Sequence, residues 1–152
     1  MTLIATESTE VLAAPEAVWQ VVADIENMES IISGIKAIDI LETPPGPTIT
    51  GIKWKETREW MGQDAVEVMW ITAACPSSFY ETRAENHGSL YISRKELEIT
   101  RAGTRLTMTF NCQPITFGAK VMWLLTGWMA KKSLSKTIRQ DLADIKAKIE
   151  KA

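Results

Sequence analysis

The chain has 152 residues but only one histidine, His87, and two cysteines, Cys75 and Cys112. One imidazole and two widely separated thiols do not have metal-ligand spacing, so no metal centre is expected. A Ser-His-Asp set would have to use His87, which sits beside Gly88 in a predicted turn and reads as an exposed loop residue. No glycine-rich phosphate loop is present, so no nucleotide cofactor is expected. No apolar run reaches the roughly 20 residues that cross a bilayer, which excludes stable membrane insertion. The first 15 residues lack a basic start followed by an apolar stretch and carry Glu7 and Glu10. A cytoplasmic location with reduced, buried thiols is the resulting expectation. Residues 1–33 contain six acids and no Lys or Arg, whereas residues 131–152 hold seven basic residues and three acids, a local charge of +4. With a net charge of −2, the balance argues against a nucleic-acid partner. Complementary solvated faces are the plain reading of the asymmetry; transient contact of the basic segment with anionic lipid is the alternative.

What is present is a long proline-free C-terminal stretch, Phe117–Lys151. Its second half carries one apolar stripe, Leu134, Ile138, Leu142, Ile145 and Ile149, at the spacing of a helix face. Its first half, Phe117–Ala130, is apolar almost all round, with Lys120 its only charge. A helix of about 30 residues would be about 45 Å long at 1.5 Å per residue. The rest of the chain reads mostly as strands. Thr2–Leu12 is a strand, and Ala14-Pro15-Glu16 opens a helix with proline in the favoured first position. Asp24 is placed to cap a second short helix that Gly34 ends. Strands are predicted at 35–42, 51–60, 65–75, 79–86, 89–100 and 105–112, with the last one stopped by Gln113-Pro114. Six strands joined by short turns make an antiparallel meander. The composition, 45% hydrophobic and 24% charged, suits one domain over residues 1–152.

Alternation assigns the strand faces. Trp54, Glu56 and Arg58 share the apolar side of one strand, opposite Lys53, Lys55, Thr57 and Glu59. Leu106, Met108, Phe110 and Cys112 share another inward face. Tyr80, Thr82 and Ala84 form a third; Tyr91, Ser93, Leu97 and Ile99 form a fourth, joined by Lys95. Strand 65–75 is ambiguous from alternation alone.

The order of elements, strand, two short helices, six strands and a long helix, resembles the helix-grip fold of the START and birch-pollen-allergen-like superfamily. The stretches AAPEAVWQVVADIENM (13–28), GIKWKETREWMGQ (51–63), ITAACP (71–76), GTRLTMTF (103–110) and LADIKAKIE (142–150) are similar to its polyketide cyclase/dehydrase and lipid-transport group. The resemblance implies an α+β fold, a curved seven-stranded antiparallel sheet wrapped around the C-terminal helix, with a cavity between them. It places Ile71 inside and makes Trp54, Arg58, Met69, Ile71, Tyr80, Tyr91, Met108, Phe110, Trp123, Leu124, Gly127 and Trp128 its expected lining. The methionines Met69, Met108, Met122 and Met129 would make that lining adaptable. The first expectation is a monomeric or homodimeric carrier of a hydrophobic small molecule such as a lipid, isoprenoid, quinone or polyketide, without cofactor. The second is a cyclase/dehydratase-type enzyme in which Glu56, Arg58, Tyr80 or Tyr91 moves protons. The third is a co-chaperone-like module using the convex face around Trp70. A packed core is the competing reading for the Met and Trp residues, and a structural ion pair that for Glu56 and Arg58.

Overall fold

The computed structural model describes residues 2–60, 62–86 and 88–151; for Thr2, Leu3, Ile4, Trp60 and Trp123 the backbone alone is described. His87 and the side chain of Trp123 therefore lie outside the described residues. The elements are β1 (Thr2–Val11), α1 (Pro15–Val22), a 3₁₀ turn (Ile25–Asn27) leading into α2 (Met28–Ile31), β2 (Ile35–Glu42), β3 (Lys53–Trp60), β4 (Gln63–Cys75), β5 (Phe79–Asn86), β6 (Ser89–Ile99), β7 (Thr104–Pro114) and α3 (Phe117–Glu150). All seven strands form one antiparallel sheet in the order β1-β7-β6-β5-β4-β3-β2, so the meander closes back on β1.

Local differences from expectation have local causes. Strand β7 runs through Pro114, which pairs with Ser89 of β6, instead of stopping at Cys112. Proline is tolerated there because it lies at the end of the strand. Asp24 does not cap a backbone N–H; its carboxylate accepts from the Asn27 amide at 2.6 Å. Helix α2 ends at Ile31, where Ile32 turns extended, before Gly34 is reached. Cys112 is buried as expected, but Cys75 is exposed at the end of β4, and both are free thiols.

The core lies between α1, the second half of α3 and the sheet. Val11, Val18, Val22, Leu106 and Ile145 are fully buried, and Ile138, Leu142 and Ile149 complete the helix stripe. Helix α3 packs chiefly on β1, with smaller contacts to β7, α1 and α2. Its C-terminal half is also pinned by polar ties. The Asp144 carboxylate accepts from the Ser33 backbone N–H at 2.9 Å and from its hydroxyl at 2.8 Å, and Glu150 accepts from the Leu12 N–H at 2.9 Å.

A Cβ at Gly103 would lie 2.3 Å from the Val11 carbonyl oxygen and 2.8 Å from the Ala13 nitrogen, so Gly103→Ala forces the β6–β7 turn off the β1–α1 corner. Thermal unfolding should show a loss of about 1–3 kcal/mol, the range for overpacking. At Asp144, burial opposes the charge, but the two Ser33 bonds and the Gln140 amide outweigh it and hold the carboxyl below its usual range. A depressed acid stabilises the fold above its unfolded value of 3.8 and loses that contribution as pH falls through the lower folded value. Asp144→Asn should therefore cost about 1 kcal/mol at neutral pH. The gap from the parent protein should close in acid, as read by denaturant melts across pH.

Candidate functional site: the concave face of the sheet

The register settles which side chains share the concave face. Across β3 and β4, Trp54 faces Met69, Glu56 faces Glu67 and Arg58 faces Ala65. Across β4 and β5, Met69 faces Ala84 and Ile71 faces Thr82; a bulge at Thr72 then brings Ala74 inward beside Tyr80. Strand 65–75 therefore buries the Met69 and Ile71 side. Trp70 lies on the convex face between Lys53 and Arg83, where it is only partly exposed. Across β5, β6 and β7, Tyr80 faces Lys95 and Lys95 faces Met108; Thr82, Ser93 and Phe110 form the next row, and Ala84, Tyr91 and Cys112 the one after. The register of β6 is unbroken, so Lys95 is a true inward residue. Ile99, expected on the same face, is 81% exposed at the strand end.

The floor is apolar with polar groups set into it. Trp54 and Ile71 are buried, while Met69, Tyr91, Met108 and Phe110 are only half-covered. Tyr91 and Phe110 stack at 5.7 Å with a 41° tilt. Burial, with Cys112 and Glu67 close by, pushes the Tyr91 phenol above its usual value, so it stays protonated at neutral pH. Burial raises the Cys112 thiol likewise. Tyr80 has a different role. Its hydroxyl donates to the Val22 carbonyl at 3.0 Å and its ring meets Trp19 edge-on, so it docks α1 on the sheet.

Glu56 and Arg58 belong to an ionic cluster that reaches α3. Arg58 Nε donates to Glu56 Oε2 at 2.7 Å, and its two terminal nitrogens donate to Asp141 Oδ1 and Oδ2 at 3.2 and 2.8 Å. The Trp54 indole N–H donates to Glu56 Oε1 at 3.3 Å. Burial disfavours the guanidinium charge, but Asp141 and Glu56 together outweigh it and hold Arg58 above its ordinary value. Burial pushes the Asp141 carboxyl up, and Arg58, then Lys95, pull it back. The cluster Glu56, Arg58, Asp141 and Lys95 sums to zero charge. The Lys95 ammonium lies 5.0 Å from the centroid of the Tyr80 ring and makes no ion pair among the described residues. Sequence reasoning misses Asp141 because it interrupts an apolar stripe, yet a signal is there. Leu134, Ile138, Asp141 and Ile145 are spaced four, three and four apart, which puts an acid on the buried face.

The outer face of the first half of α3 is turned to solvent. Leu124 is 83% exposed and Trp128 is 68% exposed; Phe117, Leu125, Met122 and Met129 are also open to solvent. Helix α3 is continuous through Gly127, which is the one buried position among the described residues of 117–133. Among the described residues no side-chain hydrogen bond joins this half to the sheet; its own are the Thr116 cap and Thr126 to the Met122 carbonyl. Leu124 and Trp128, expected to line a closed cavity, therefore lie on the solvent side of α3, while Gly127 is on its buried side. The cause is that α3 takes its packing from β1 and from the stripe beginning at Leu134. Among the described residues no group of side chains could hold a metal ion, and no helix is long and apolar enough to cross a membrane.

The sequence profile of the polyketide cyclase / dehydrase and lipid transport family matches residues 2–150. Among solved structures, the chain is similar to a START superfamily protein from Mycobacterium smegmatis at 17% identity and TM-score 0.75, covering 97% of each chain. It is similar to the Zhui aromatase/cyclase from Streptomyces sp. R1128 at 15% identity and TM-score 0.76, covering 96% of this chain and 92% of that one. A protein from Thermus thermophilus superposes with TM-score 0.79 at 11% identity, covering 95% of both chains. No curated protein sequence matches the chain. These likenesses establish the helix-grip fold, and the profile match over almost the whole length establishes that the chain belongs to the polyketide cyclase/dehydrase and lipid transport family.

Proposed function

We propose that this protein binds a bulky hydrophobic small molecule, such as a lipid, isoprenoid, quinone or polyketide, on the concave face of its sheet. The observation that carries the reading is the apolar floor of Met69, Tyr91, Met108 and Phe110, none of which is fully buried. Apolar surface of this kind, with a few polar groups to orient a ligand, is what small-molecule sites are made of. Tyr91 supplies a protonated hydroxyl, and Lys95 a cation suited to a carbonyl or carboxylate on the ligand. Trp54 and Ile71 form the deeper wall. Tyr80 and Arg58 tie the helices to the same face, since their polar atoms are already engaged with Val22, Glu56 and Asp141.

A cyclase/dehydratase activity is the second reading. It is favoured by the family and by the opposition of Glu56 and Glu67 on a floor that also carries Lys95 and Tyr91. Such a site would hold a reactive chain folded while a positioned group moves a proton.

Binding of anilinonaphthalene sulfonate tests the first reading. Met108→Glu places a charge on the floor and should weaken dye binding by about tenfold or more, given the cost of desolvating an unpaired charge. Leu124→Glu, away from the floor, should leave most of it. Equal losses in both variants, or none in Met108→Glu, would refute a ligand site on the concave face.

A further inference from the structure

The exposed half of α3 asks for a partner. A helix that is apolar all round is normally buried, yet Phe117, Leu124, Leu125 and Trp128 are each more than two-thirds exposed. The pattern along one face is specific. Phe117, Val121, Leu124 and Trp128 recur at steps of four, three and four, and the same stripe continues as Lys132, Lys136 and Arg139 at steps of four, four and three. This stripe lies away from the sheet-facing residues Leu134, Ile138, Asp141 and Ile145. It is apolar over about 17 Å and then cationic over about 10 Å at 1.5 Å per residue. From Phe117 to Gln140 there are five basic residues and no acid. Lys120, Lys131, Lys132 and Lys136 make no ion pair among the described residues; Arg139 reaches Glu7 at 3.5 Å. Lys132, Lys136, Arg139 and Gln140 border a surface recess of about 490 Å³.

We propose that residues 117–140 are a docking element for an anionic lipid bilayer. The apolar stretch enters the boundary between headgroups and acyl chains, and the cationic continuation rests on the phosphates, as in interfacial helices. The charge pattern favours this occupant over a second copy of the chain. Two such stripes packed in parallel would set Lys132, Lys136 and Arg139 of one copy against those of the other, and an antiparallel arrangement would set each cationic half against an apolar half. Glu16, Asp24, Glu26 and Glu29, in and beside the short helices, would be repelled by the same surface and so orient the molecule. The inference does not depend on the identity, or the existence, of a ligand on the concave face.

Flotation with vesicles tests it, using phosphatidylcholine alone and phosphatidylcholine with a third replaced by phosphatidylglycerol. The full chain should float with the anionic vesicles, stay behind with the neutral ones, and be released by high salt. Leu124→Glu/Trp128→Glu and, separately, Lys132→Glu/Lys136→Glu should each reduce partitioning at least about tenfold. All four positions are exposed, so unchanged thermal unfolding will show that the variants are folded. Equal binding to both vesicle types, or binding that survives either pair of substitutions, overturns the proposal. So does failure to float, whether sedimentation then shows a dimer dissolved by Leu124→Glu/Trp128→Glu or a plain monomer.

Discussion

Asp141→Ala should lower the stability of this protein by about 3 kcal/mol, at the lower end of the range for breaking a buried ion pair. The reason is asymmetry. Arg58 is held by three hydrogen bonds, two of them to Asp141, and is largely withdrawn from water. Removing Asp141 leaves a guanidinium that only Glu56 balances, in a setting that strengthens unpaired charge as much as paired charge. For a chain of this size the midpoint of thermal unfolding should fall by about 6–12 °C. Replacing the whole cluster at once, Glu56→Leu/Arg58→Met/Asp141→Leu, should be far milder, because desolvating three charges is costly and apolar packing recovers much of what their attraction supplied. If the triple variant unfolds as readily as Asp141→Ala, the cluster does more than join β3 to α3. If Asp141→Ala is as stable as the parent, the bidentate contact is not formed in solution.

The second large effect divides α3 by role. Ile145 is fully buried beneath the helix, so Ile145→Ala should cost about 3–4 kcal/mol through lost burial and the cavity left behind. Leu124 is 83% exposed, so Leu124→Ala should change stability by less than about 0.5 kcal/mol in equilibrium denaturation. Both residues sit on one helix and read alike by hydrophobicity. A comparable loss at both would mean that residues 117–130 pack on the sheet in solution.

That contrast marks the boundary of what the residues disclose by themselves. The inward faces of β3, β5 and β7 are legible because alternation there is clean: Lys53, Lys55, Thr57 and Glu59 cannot all face a core, so Trp54, Glu56 and Arg58 must. The second half of α3 is legible for the same reason at helical period. The face of β4 is not, because Val66, Val68 and Trp70 rival Met69 and Ile71 in hydrophobicity; register with β3 and β5 decides it. The position of residues 117–130 is not legible either. An apolar all-round helix declares that it is covered, but not by what, and a cover outside the chain leaves the same pattern as a cavity inside it. Asp141 sits in plain view within the helix stripe, and a lone arginine on a buried strand face is reason to look for its acid.

The central claim is that the concave face, bordered by Lys95 and Tyr91, holds a hydrophobic molecule. Mass spectrometry of an organic extract of the purified protein tests it most directly. The expected result is a discrete apolar compound, depleted in the extract of Met108→Glu and retained in that of Leu124→Glu. An extract with no such compound, or one of the same composition from Met108→Glu, would contradict it.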